Sequence, residues 1–156
     1  MSILGIAHTV ISVVALIFAA VCLIKNGAID PYSKWGKQYS IFTVIACVSA
    51  FGLSSTGHFN PGHGLAILIL LLLGISYLLG KKTKPGSRYG VLFCMSTTVF
   101  LSLVPAVNET LTRLPVGHPF AAGPTSPAVQ NALKVLLFLY LTGLTLQILL
   151  LKRSLK

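Results

Sequence analysis

The sequence predicts an all-α integral membrane protein: one domain, a bundle of five transmembrane helices, N-terminus outside and C-terminus cytoplasmic. Three observations lead there. Charged residues make up 9% of the chain and hydrophobic residues 54%, whereas a soluble domain carries about 25% charged residues. Too little polar surface remains to cover a soluble globule of this size. Apolar runs approaching or exceeding about 18 residues, the length that reads as a membrane span, recur along the chain. Lysine and arginine gather at alternate ends of those runs.

The first span covers about residues 3–24. No Lys or Arg precedes it, and the first cation is Lys25, after the run. A cleaved signal wants a basic start and a short apolar run, so this segment reads as an uncleaved span with its N-terminus outside. The second span, about 38–55, is the shortest. The third, 61–80, follows Asn60 as N-cap and Pro61 at the first helical position. The fourth, about 88–107, contains Pro105, which is expected to kink or end it. The fifth, about 127–151, follows Ser126 as cap and Pro127 at the first position. At 1.5 Å per residue each span approaches the roughly 30 Å of the hydrocarbon core.

Charge sets the expected orientation. Ten of the 12 cations lie in the first loop (Lys25, Lys34, Lys37), the third loop (Lys81, Lys82, Lys84, Arg88) and the tail (Lys152, Arg153, Lys156). Only Arg113 and Lys134 lie on the other side, and the positive-inside rule then puts the basic loops in the cytoplasm. Trp35, Tyr32, Tyr39 and Tyr89 stand where an inner aromatic belt would lie. The net charge of +10 is therefore read as contact with lipid headgroups, with no nucleic acid as partner. Cys22, Cys47 and Cys94 lie inside apolar runs without CxxC spacing. They read as packing residues, with no disulfide and no cysteine-held metal. No internal repeat is visible, which disfavours an inverted-repeat transporter.

Small and polar residues mark the faces on which membrane helices pack. His8, Ser12, Ala15, Ala19 and Cys22 form one helical stripe in the first span. Ser40, Thr43, Cys47, Ala50 and Ser54 do so in the second, and Thr98, Ser102, Pro105 and Glu109 in the fourth. These three spans are expected to meet. The third, "LAILILLLLGISYLL", is apolar on nearly every side and is expected to face lipid at the periphery.

The topology places all four histidines outside: His8, His58, His63 and His118. Asn60, Asn108, Glu109, Arg113 and Lys134 lie on that side too. His8 faces inward, as a histidine satisfied by a neighbouring hydroxyl or carbonyl, or as a ligand or proton-handling group. His58 and His63 flank a Gly/Pro turn, "STGHFNPGHG", whose HisxxxxHis spacing is not a known metal spacing. Glu109 and Arg113 stand at i, i+4 and suit an ion pair, and Lys134 is a second cation for Glu109. Residues 105–128 read as a long, proline-rich outer loop of the kind that acts as a lid.

In "AHTVISVVALIFAA" and "KWGKQYSIFTVIACVSAFGL" the chain resembles small bacterial membrane proteins with a histidine opening the first span. That group has no established activity. It often carries a second histidine before the second span, where this chain has Tyr32 and Ser33, so the resemblance implies a role for His8 alone.

These residues lead to the expectation of an outer vestibule that binds a metal ion, haem b or a small polar ligand, with His8 and His63 foremost. Two different axial histidines would suit haem. Two other functions are consistent with the sequence. One is an accessory subunit or scaffold held to other membrane subunits, or to a second copy, by its helix faces. The other is an intramembrane enzyme using Glu109 and a histidine as acid and base. The bilayer of the inner membrane is the expected surrounding in every case.

Overall fold

The computed structural model describes residues 2–53, 58, 60–82 and 84–155. Among them five α-helices form and no strand: α1 (Ile3–Asn26), α2 (Lys34–Ala50), α3 (Pro61–Gly80), α4 (Pro85–Arg113) and α5 (Pro127–Ser154). Four of these, all but α2, are long and apolar enough to cross a membrane. The chain is a multi-pass membrane protein.

Local chemistry sets the helix ends. The Ser2 hydroxyl accepts the Gly5 N–H, and α1 closes at Gly27, whose φ of 68° suits glycine and whose N–H returns to the Leu23 carbonyl. Ser33 caps α2 by accepting the Gly36 N–H, so α2 begins at Lys34 rather than near residue 38. It ends at Ala50, short of the expected 55; residues 54–57, including Ser54 of the expected stripe, lie outside the described residues. Asn60 caps α3 as expected, its Oδ1 accepting the His63 N–H, with Pro61 opening the helix. Ser126 has cap backbone angles but makes no cap hydrogen bond through its side chain.

The fourth helix departs most from expectation. It passes through Pro105 and continues to Arg113. The first part of the expected outer loop, residues 105–113, is therefore helix. At 29 residues α4 is roughly 43 Å long, longer than the hydrocarbon core, so Asn108, Glu109 and Arg113 ride on its last turns. The segment after Arg113 folds back on the helix: Ala121 N–H bonds to the Leu111 carbonyl, and Ala121 is buried.

Helices α1 to α4 pack in a ring: α1 on α2, α2 on α3, α3 on α4, and α4 back on α1. Among the helices α5 packs on α4 alone. The stripe of α1 faces inward, with Ala15, Ala19 and Cys22 buried. That of α2 does too, through Ser40, Thr43 and Cys47. All three cysteines are buried. Tyr39 belongs to this core rather than to an aromatic belt. It is fully buried, and its hydroxyl donates to Thr98 Oγ1 at 2.8 Å, linking α2 to α4 across the ring.

The expectation that α3 is peripheral is overturned. His63, Ala66, Ile69, Leu73 and Ser76 are buried, at spacings of three and four that make one face. The helix presents this face to the ring and its other leucines outward. The peripheral helix is α5, in which Val129 is the one buried residue among those described. Large aliphatic side chains on every side of α3 hid a face that mixes small, polar and branched residues.

Candidate functional site: the His8 cleft

The site arises from the pairing of α1 with α2. The two run antiparallel. Phe18 stacks on Trp35 at 5.7 Å, and His8, near the start of α1, reaches Ala46 and Ser49, near the end of α2. The Nδ1 of His8 lies 3.1 Å from the Ala46 carbonyl oxygen and 2.9 Å from Ser49 Oγ. A carbonyl only accepts, so Nδ1 carries the proton. Ser49 Oγ gives its own proton to the same carbonyl at 2.8 Å, and so accepts from His8. This network assigns the tautomer. The neutral ring is protonated at Nδ1 and keeps its lone pair on Nε2, as does a histidine oriented to bind through that nitrogen.

His8 lines a cleft of about 130 Å³ to which all four ring helices contribute. Its apolar wall comes from residues such as Ala15, Ala50, Leu65 and Ile69, and its polar groups are His8, Ser12, Thr43 and Ser102. Two of those hydroxyls are committed. Thr43 donates to the Tyr39 carbonyl at 2.7 Å and Ser102 to the Thr98 carbonyl at 2.8 Å. With their protons turned back into their own helices, these oxygens offer only lone pairs. Together with His8, which lines the same cleft, they make its polar side rich in acceptors.

The other expected site residues take several positions. His63 is buried in the first turn of α3, its ring 5.5 Å from that of Phe51 and its Nε2 3.5 Å from Asn60 Nδ2. Gly62 beside it lines the His8 cleft, so His63 stands one residue from the site. His58 is exposed, and the turn residues 55–57 and 59 around it lie outside the described residues. His118 is exposed on the α4–α5 loop, and Lys134 is exposed on α5. Glu109 pairs with Arg113 one turn on, both about half exposed. Asn108 turns a buried Oδ1 inward without a hydrogen-bond partner among the described residues. Among the described residues, no three His, Cys, Asp or Glu side chains gather closely enough to hold a metal ion.

Two polar residues have roles that the sequence pattern does not reveal. Gln147 of α5 accepts from Ser96 of α4 at 2.6 Å and donates to the Gly27 carbonyl at 2.9 Å. Tyr140 of α5 meets Thr97 at 2.8 Å and stacks on Phe100. Each is a large side chain with a polar end in a mostly apolar run, and that is the one signal in the sequence that could have found them. They fasten α5 to the ring.

Comparison with family models, curated proteins and solved structures finds no match for this chain.

Proposed function

We propose that the chain is a five-span protein of the inner (plasma) membrane, N-terminus outside and C-terminus cytoplasmic, whose outer-end cleft binds a small ligand through Nε2 of His8. The observation that carries this reading is the bond from Nδ1 to the Ala46 carbonyl, which leaves the opposite nitrogen as an acceptor beside a cleft of acceptors. The matching ligand has a compact apolar body and one O–H or N–H donor. Haem does not suit a cleft of about 130 Å³, since sites for molecules of drug size run to roughly 300–1,000 Å³. Glu109 forms an ion pair with Arg113.

The five-span count is supported by α2 itself. Its 17 residues cover only about 26 Å, but it lies along α1 from Trp35 beside Phe18 to Ser49 beside His8. This pairing with a span supports α2 as a fifth span.

Phenol is a suitable probe. In the purified protein, the ¹⁵N signal of His8 is expected at the positions of an Nδ1-protonated neutral ring, with the Nε2 signal moving as phenol is added. An Nε2 signal that stays put at saturating phenol would remove the ligand reading. A second reading, an accessory subunit, is favoured by the bare outer side of α5; polypeptides that co-purify at fixed stoichiometry, and leave when that side is altered, would support it.

A further inference from the structure

A second and larger cleft, of about 590 Å³, lies at the opposite, basic end of the bundle. The α1–α2 turn, the α3–α4 turn and the end of α5 surround it. Lys82 and Arg88 stand on its wall, Ile29 and Leu92 supply buried apolar surface, and Asp30 and Ser33 complete the polar side. Its volume falls within the range of small-molecule sites.

The charges in it are not balanced internally. The chain has two acids. Glu109 is at the other end with Arg113. Asp30 turns its Oδ1 to the Tyr32 N–H at 2.9 Å, and among the described residues no ion pair joins it to Lys82 or Arg88. The side chain of Ser33 is spent too, donating to the Asp30 carbonyl and accepting from Gly36. Two cations thus face a cleft whose apolar surface continues toward the bundle core. Nearby Trp35, with Lys25 and Lys34 at 5.6 and 5.4 Å from its ring centroid, marks the depth as that of the headgroup layer, where indole rings and cations collect. A ligand that satisfies all of this has an anionic head and an apolar body. A guanidinium binds phosphate oxygens in pairs and an ammonium adds a point charge.

We propose that Lys82 and Arg88 hold a phosphate group in this cleft, carried by an anionic phospholipid or by a soluble phosphate ester. Ile29 and Leu92 receive the carbon skeleton next to it.

The test uses the full chain in neutral detergent. Native mass spectrometry measures retention of phosphatidylglycerol against phosphatidylcholine, and calorimetry measures binding of glycerol 3-phosphate and inorganic phosphate. Preferential retention of phosphatidylglycerol, weakened roughly tenfold or more by the double change Lys82→Gln and Arg88→Gln, supports the site and assigns it to lipid. Binding of the soluble phosphates, lost in the same double variant, supports the site and assigns it to a soluble ester. Lys37→Gln removes one charge from the same end, outside the cleft, and should change binding by no more than about twofold. Arg88→Lys should fall between the parent and the double variant, because it keeps charge and loses the paired geometry. Equal retention of both lipids with no binding of soluble phosphate overturns the proposal. So does a loss with Lys37→Gln as large as that of the double variant, which would make the attraction a property of the whole basic end. Lys82 and Arg88 are exposed, and a thermal melt of the double variant verifies that the fold is kept.

Discussion

At the scale of single residues, the two bonds from His8 Nδ1 separate a structural role from a ligand-binding one. His8→Ala leaves the Ala46 carbonyl still bonded to Ser49 Oγ, so no acceptor is orphaned. The cost should be only about 1 kcal/mol in thermal unfolding, while phenol binding should disappear. Ser49→Ala removes an acceptor from Nδ1 and leaves the carbonyl that sets the tautomer, so phenol binding should survive. Loss of binding in both variants alike would mean that the cleft responds to packing rather than to Nε2. Tyr39 offers a second test. Tyr39→Phe removes the one donor it extends to Thr98 and should lower stability by about 0.5–1.5 kcal/mol. A neutral result in an unfolding titration would show that the bond across the ring is not a stabilising link. That His8 turns inward was legible, because its stripe of small residues repeats along α1. Its partners were not. Which carbonyl meets Nδ1 depends on the register of α1 against α2, and no pattern within either helix encodes that.

At the scale of elements, the glycines show where helices must approach closely. A Cβ at Gly36 would collide with the Asp30 carbonyl, while at Gly86 it would meet open space. Gly36→Ala should therefore push the start of α2 off the α1–α2 turn and cost about 1–3 kcal/mol, the usual range for overpacking. Gly86→Ala should be neutral within about 0.5 kcal/mol. Equal melting temperatures for the two variants would remove this close approach. The same contrast separates α3 from α5. Ala66 is buried and Leu139 is 60% exposed. Ala66→Leu should damage the ring, and Leu139→Ala should leave detergent stability nearly unchanged. Small-residue stripes identified the inner faces of α1 and α2 because they contrast with aliphatic surroundings. They failed on α3, where Ile69 and Leu73 point inward among leucines that point outward. In lipid a helix gains nothing from water by hiding leucine, so hydrophobicity alone does not tell the two sides apart.

At the scale of the whole molecule, the asymmetry of charge and the antiparallel helix order support one arrangement and make it testable. The α1–α2 turn, Lys82 and the end of α5 share the basic end of the bundle. The α4–α5 loop and the start of α3 share the other. The 12 cations serve as a topology signal because most of them sit at or between the helix ends rather than in mid-span. The division into a four-helix ring and an outlying α5 was not legible, because it rests on polar groups such as Gln147 finding partners far along the chain. Reporter fusions read the arrangement directly. Fusions after Asp30, Lys82 and Lys156 should be active in the cytoplasm, and a fusion after Gly123 should be active outside. The fusion after Lys82 is the decisive one for α2, since a short helix that lay in the interface instead of crossing would reverse the side on which α3 ends. Activity outside at Lys82, with Asp30 still inside, would reduce the count to four spans and move the His8 cleft and the phosphate cleft onto a bundle with a different depth in the bilayer.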